Sequence, residues 1–155
     1  MITGTELRIL RQNCGLTQED VAEYIGCSLR SVKRWEAGKS RIPQRVFDAL
    51  TQLRIRILTE SALMLSFAAE RTEPIALILY DEEDADLCGR QFDGPFNALR
   101  HIIVTAYNSL RAAGYSVRLV KFDRDDYFAF LYGREDTDYL RAKWAEVQIT
   151  KGKAP

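Results

Sequence analysis

Leu16-Thr17-Gln18-Glu19-Asp20-Val21-Ala22-Glu23-Tyr24-Ile25-Gly26-Cys27-Ser28-Leu29-Arg30-Ser31-Val32-Lys33-Arg34-Trp35-Glu36-Ala37-Gly38-Lys39 holds two short helices with their start and stop signals in place. Thr17 is an N-cap residue with Asp20 at the third helical position, the spacing of a capping box. Val21, Ala22 and Ile25 form the buried stripe of that helix, and Gly26 ends it. Ser28 then caps a second helix whose Val32 and Trp35, three apart, share an inner face, and Gly38 stops it. A linker of Gly26-Cys27-Ser28 is too short for the two helices to lie antiparallel. The turn forces a crossing of about 90 to 120°, the geometry of a helix-turn-helix.

Working outward, Leu7, Leu10 and Cys14 predict a helix before this unit, closed at Asn13-Cys14-Gly15. Pro43 fits the first position of a fourth helix, with Val46, Leu50, Leu53 and Ile57 at spacings of four, three and four. Apolar residues then continue on more than one face, from Ile55 through Leu58, Leu63, Met64, Leu65 and Phe67 to Ala69, up to Arg71. That stretch is too apolar for an exposed linker and predicts burial between the two halves of the chain or between two chains.

With Val32 and Trp35 turned inward, the opposite face of the third helix carries Leu29, Arg30, Lys33 and Arg34, a surface suited to a major groove. The formal net charge is zero, with 22 basic and 22 acidic residues, but the distribution is uneven. Residues 28–56 hold eight Lys or Arg against Glu36 and Asp48, whereas residues 72–155 are mildly acidic. A self-solvating helix would interleave acids four residues from its bases; here they are mostly missing, which points to a polyanionic partner.

The block Leu16 to Ser28 followed by Val32-Lys33-Arg34-Trp35-Glu36-Ala37-Gly38-Lys39 resembles the Cro/CI (XRE) family of helix-turn-helix transcriptional regulators over about residues 5–50. The resemblance implies that Gln18 touches a phosphate and supports the recognition helix. It implies further that Ser28, Leu29, Arg30, Lys33 and Arg34 read base edges, and that Lys39 and Arg41 contact phosphate. The chain departs from the family at Ala37, where Asn is common, and at Leu29, where a polar reader is common; Leu29 suits a thymine methyl instead. The segment Trp35-Glu36-x-Gly38-Lys39-x-x-Ile42-Pro43-x-x-Val46 is also similar to YdiL-like proteins and to the repressors encoded beside anti-CRISPR genes. These carry a small dimerising C-terminal domain.

Beyond the helical region, Glu73-Pro74 breaks the chain, and Ile75 to Tyr80 reads as a strand buried on both faces. Asp81-Glu82-Glu83-Asp84-Ala85-Asp86 has two readings, a hard-cation site or a solvated acidic loop. Without a glycine-containing ligand spacing the loop is the reading taken. Asp93-Gly94-Pro95 precedes a helix from about Phe96 to Ala113 with Leu99, Ile102, Ile103, Ala106 and Leu110 inside, and Tyr115 to Phe122 is a second strand. Residues 123–133 read either as a capped helix ending at Gly133 or as a hairpin partner of that strand, and the resemblance favours the helix. Thr137 caps a last helix carrying Leu140, Trp144 and Val147, and Lys151 to Pro155 is a tail. Tyr127, Phe128, Phe130, Tyr132, Tyr139 and Trp144 lack an interleaved basic stripe and are read as core or dimer interface.

Three cysteines (Cys14, Cys27, Cys88) without a Cys-x-x-Cys pair, and His101 as the single histidine, support neither a disulfide framework, nor a zinc site, nor histidine-based catalysis. His101 reads as structural. The N-terminus has no signal-peptide pattern and no apolar run approaches membrane-spanning length, so a cytosolic protein without cofactor is expected. The fold class expected is α+β. A five-helix-like helix-turn-helix region (1–71) is followed by a small β-α-β-α-α dimerisation domain (72–155). The partners expected are double-stranded DNA and a second copy of the chain, with no membrane. The function expected is a homodimeric repressor, with an antitoxin as the alternative, in which the C-terminal domain meets a protein partner.

Overall fold

The computed structural model describes residues 2–69, 71, 74–88, 92 and 94–152. Glu73, Asp93, the tail beyond Gly152 and the side chain of Cys88 lie outside the described residues. The elements in order are α1 (Gly4–Asn13), α2 (Gln18–Ile25), α3 (Leu29–Glu36), α4 (Gln44–Ala68), β1 (Ile75–Leu79), a 3-10 turn (Glu82–Asp84) and α5 (Ala85–Cys88). These are followed by α6 (Phe96–Ala112), β2 (Val117–Lys121), α7 (Arg124–Leu131) and α8 (Asp138–Thr150). The class is α+β. The chain divides into two compact units, Met1–Glu60 with Phe92–Ile102, and Ser61–Gln91 with Ile103–Pro155.

In the first unit the periodic positions do what their spacing demands. Leu7, Cys14, Leu16, Val21, Val32, Val46, Leu50, Leu53 and Ile57 are buried. Ala98 and Ile102, the first buried positions of α6, belong to the same unit, and Asn97 reaches Asp20 of α2 at 2.9 Å. The Arg56 guanidinium lies 4.5 Å from the centre of the Phe92 ring. Gly15 turns out of α1 with φ of +72°, and a Cβ there would strike the ring of His101, which packs directly on the turn. Burial and then the charge of Arg54 hold the His101 imidazole below its ordinary value. Cys14 is buried, its thiol pushed up to about 11 by desolvation.

In the second unit β1 and β2 pair in parallel, with Ile75 opposite Val117 and Leu79 opposite Lys121. Parallel pairing needs a long crossover, and the connection containing α6 supplies it. Alternation along the strands sorts the core into two layers. Ile75, Leu77, Leu79, Val117 and Leu119 pack with Ala68, Ile103, Ala106 and Leu110. Ala76, Ile78, Tyr80, Val120 and Phe122 pack with Tyr127, Leu131, Trp144 and Ala145. β1 is thus covered on both faces, with Leu77 its one buried residue; among the described residues the sheet has two strands, which leaves each with an open edge.

Residues 124–131 are helical, which decides between the two readings of that segment. Asp123 caps the helix by accepting from the Asp126 N–H, and Tyr132 closes it in the left-handed conformation at φ 49°. The inner stripe of α8 differs from the apolar one expected. Arg141, Trp144, Ala145 and Gln148 face inward, while Leu140 and Val147 are half-buried. Polar side chains occupy this core because carboxylates meet them. Asp136 accepts from Arg141 at 2.8 and 2.7 Å and from the Tyr127 hydroxyl at 2.6 Å. Asp126 accepts from Trp144 Nε1 at 2.8 Å and Gln148 Nε2 at 2.7 Å. Of the aromatics, Tyr127 and Trp144 are core, whereas Phe128, Tyr132 and Tyr139 are exposed, Tyr132 at 93%.

Candidate nucleic-acid interface

The α2–turn–α3 segment is held by its own backbone and caps. Thr17 Oγ1 accepts from the Asp20 N–H at 3.1 Å while Asp20 Oδ2 accepts from the Thr17 N–H at 2.7 Å, a reciprocal capping box. Gly26 adopts φ +69°, which lets the Cys27 N–H return to the Ala22 carbonyl at 2.9 Å and turn the chain at once into α3. Ser28 then accepts from the Ser31 N–H at 3.2 Å, and the two hydroxyls lie 2.9 Å apart. At the other end of α3, the N–H groups of Gly38 and Lys39 reach the carbonyls of Trp35 and Arg34. This Schellman closure fixes Lys39 to the helix it follows, and Ala37 gives its backbone N–H to the Lys33 carbonyl.

What positions α3 against the other helices is a buried carboxylate. Glu36, 5% exposed, lies on the inner face with Val32 and Trp35. It accepts from Arg11 Nε at 2.6 Å and from Gln18 Nε2 at 2.8 Å, with Arg8 Nε at 3.4 Å. Arg11 also donates to the Leu16 carbonyl at 2.7 Å, so a single guanidinium joins α1, the turn after it and α3. Burial alone raises the Glu36 carboxyl, but the hydrogen bonds from Arg11 and Gln18 and the charges of Arg11 and Arg8 outweigh it and hold the group below its ordinary value. Gly4 admits the close approach of α1, since a Cβ there would collide with the carbonyl oxygens of Trp35 and Glu36.

Against this scaffold the residues singled out from sequence fall into three groups. Leu29, Arg30, Lys33, Arg34 and Lys39 come together, with Ala37, around an open concavity of about 350 Å³ on the outer face of α3. Arg30, Lys33, Arg34 and Lys39 are exposed, and among the described residues no carboxylate pairs with any of them. Among the described residues the one side-chain hydrogen bond in this group is Arg34 Nη2 to the Lys39 carbonyl, at 3.4 Å. Gln18 is half-buried and its amide nitrogen is turned to Glu36; Ser28 serves as the helix cap; Arg41 is exposed. None of these last three lines the concavity.

Sequence reasoning passed over Arg8, Arg11 and Glu36 as members of the site. The signal was present: Glu36 stands at i+4 from Val32 and i+1 from Trp35, an acid on the buried stripe of an otherwise basic helix. Such a residue requires buried cationic or amide donors from a neighbouring element.

The acidic segment of the second unit is ion-paired. Arg124 donates to Asp84 at 2.8 Å, to Asp86 at 2.6 Å and to the Glu83 carbonyl at 2.9 Å, while Lys121 meets Asp81 at 2.8 Å. Of these, Asp81, Glu83, Asp84, Lys121 and Arg124 line a wide cavity of about 810 Å³ beyond the carboxyl ends of β1 and β2.

Residues 3–53, about a third of the chain, match the family of the helix-turn-helix domain, a finding that supports a DNA-binding regulator. No curated protein matches the chain. Among the described residues no helix is long and apolar enough to cross a membrane.

Proposed function

We propose that this helix-turn-helix protein is a transcriptional repressor of the Cro/CI kind that binds an inverted-repeat operator as a homodimer, with α3 in the major groove. The observation that carries the reading is the outer face of α3: Arg30, Lys33, Arg34 and Lys39, exposed and without carboxylate partners among the described residues, on a helix clamped at Glu36. Unpaired guanidinium groups on a rigid helix suit bidentate contact with guanine O6 and N7. Lys39 and Arg41 suit phosphate. Gln18, the first residue of α2, gives one amide hydrogen to Glu36 and keeps the second for a phosphate oxygen near the helix N-terminus.

Residues 1–71 carry DNA recognition in this reading, and residues 72–155 pair two copies together with residues 58–69. Leu58, Leu63 and Phe67 of α4 are exposed apolar side chains, Phe67 at 71%, of the sort a second copy would cover. One such helix makes few contacts, and two on a twofold operator roughly double them. The most economical target is the operator of its own gene, on a phage or mobile-element operon. A second reading, an antitoxin, is favoured by the exposed Phe128, Tyr132 and Tyr139 of the second unit, a surface that a different protein would cover.

The test is footprinting of the full chain on the DNA upstream of its gene, with sedimentation at low micromolar concentration. A dimer protecting two half-sites whose centres lie about 34 to 36 Å apart, or a multiple of that, is expected. A monomer protecting one asymmetric half-site overturns the proposal. A second polypeptide that co-purifies in fixed stoichiometry from the native source establishes the antitoxin reading instead.

A further inference from the structure

Within α3 itself, the face assigned to DNA has one residue whose side chain carries no polar atom. Leu29 is the first residue of the helix, half-exposed, and it lines the same concavity as Arg30, Lys33, Arg34 and Lys39. The hydroxyls of Ser28 and Ser31 beside it bond to each other and to the helix cap, and neither lines the concavity, so its wall at this end is the leucine side chain. The opposite end of the concavity is also apolar, at Ala37.

Base-edge contacts from a helix in the major groove come from its N-terminal residues, which puts the first position closest to the bases. The edges exposed there are hydrogen-bond donors and acceptors with one exception, the 5-methyl group of a pyrimidine. A leucine pressed on any other edge strips water from a donor or acceptor and offers nothing in return, which is unfavourable. Pressed on a methyl, it removes apolar surface from water on both sides. We infer that Leu29 is a specificity-determining residue that reads a pyrimidine 5-methyl group at one position of each half-site. The inference rests on the major-groove reading of α3 above. It adds a base preference that cationic side chains alone do not supply, because their strongest pairing is with guanine. The methyl has two sources, thymine and 5-methylcytosine, and Leu29 meets the same group in either.

The experiment begins with the full chain and two random-sequence duplex pools, one with ordinary cytosine and one with every cytosine 5-methylated. Bound duplexes are selected from each. In the selected sites each thymine is then replaced singly by deoxyuridine, and each 5-methylcytosine by cytosine, and affinity is measured. One position per half-site is expected to lose about fourfold on removal of the methyl, the ratio that withdrawing one methyl from water corresponds to. Thymine is the natural source if the ordinary pool yields that position; 5-methylcytosine is the source if only the methylated pool does. Leu29→Ala is expected to bind the methylated and unmethylated duplexes alike, and Leu29→Gln to lose the preference for the methyl as well. The wild-type series needs no variant to fold. Enrichment of a defined site in which no methyl matters overturns this inference and leaves the major-groove reading standing, as does a Leu29→Ala protein that keeps the full methyl preference. Failure of both pools to enrich any sequence overturns this inference and the major-groove reading together.

Discussion

α3 and α7 are close to a matched pair. Each has eight residues and each is started by a side-chain oxygen that accepts an N–H three residues on; α3 carries Arg30, Lys33 and Arg34 on its exposed face, and α7 begins with Arg124. Each is followed by a residue in the left-handed conformation, Gly38 at φ 67° and Tyr132 at φ 49°. They differ in what becomes of the charge. Arg124 of α7 is bound to Asp84, Asp86 and the Glu83 carbonyl, and Arg134 just beyond it folds back on the Leu131 and Phe130 carbonyls. Arg30, Lys33 and Arg34 of α3 have no such carboxylate among the described residues. An arginine whose donors are met inside the fold contributes to the fold; one left with free donors beside a rigid backbone is available to a partner. The position of α3 itself depends on a carboxylate, but on its inner side, at Glu36.

The comparison breaks most visibly where a buried charge loses its partner. Arg141 is 4% exposed and relies on Asp136, which also takes the Tyr127 hydroxyl. Asp136→Ala is therefore expected to cost about 3 to 5 kcal/mol, since removing one partner strands the other in a low-dielectric core. Urea unfolding of the full chain followed by tryptophan fluorescence reads the effect, Trp144 being in the same layer. A loss within about 0.5 kcal/mol, the usual size for a surface substitution, would mean that the Arg141 guanidinium reaches water and that the second unit does not engage its arginines inside the fold as Arg124 suggests.

Glu36→Gln tests the inner clamp of α3. The neutral amide keeps the shape but weakens charge-assisted hydrogen bonds, a loss of roughly 1.5 to 3 kcal/mol. It also changes the response to acid. The folded-state carboxyl is held below its unfolded value, so its stabilisation is fully present above the ordinary carboxylate range and is lost as pH falls through the still lower folded value. The wild-type protein is expected to lose stability below about pH 4.3 more steeply than Glu36→Gln, in chemical unfolding at a series of pH values. Parallel curves would show that Glu36 titrates as an exposed acid does.

The contrast also explains how much was legible beforehand. The helix-turn-helix could be read because its signals are local: Thr17, Gly26, Ser28 and Gly38 each act on the backbone within a few residues. The outer face of α3 followed from the inner one, and the concavity brings together five of the eight residues named as DNA contacts. What could not be read depends on distant partners. The buried Arg141 and Gln148 look like surface residues until Asp136 and Asp126 are placed against them, and Glu36 looks like a solvated acid until Arg11 and Gln18 arrive. The part of Phe96 to Ile102 in the first unit was likewise invisible, because Asn97 to Asp20 spans 77 residues of sequence. The segment 124–131 had a helical cap in Asp123, yet its apolar run suited strand and helix equally, and only packing on Phe122 and Trp144 decides it.

The smallest expected effects are the ones that sharpen the contrast, because they separate two kinds of free charge on the same surface. Arg30 and Arg34 project from α3, whereas Lys39 sits beyond its Schellman closure. If α3 lies in the groove, the arginines meet base edges and the lysine meets phosphate. Arg30→Ala and Arg34→Ala should then each reduce discrimination between operator and random duplex by about 1 to 3 kcal/mol, with little change in the unfolding midpoint. Lys39→Ala should weaken operator and random DNA alike, and the slope of log affinity against log salt should fall by about 1, as it does when a single phosphate is no longer neutralised. The measurement is a salt titration of binding to both duplexes for wild type and the three variants. Uniform weakening by all three, with an equal drop in salt slope, would place the whole of α3 along the phosphate backbone; its cations would still be free, but they would anchor the protein without reading sequence.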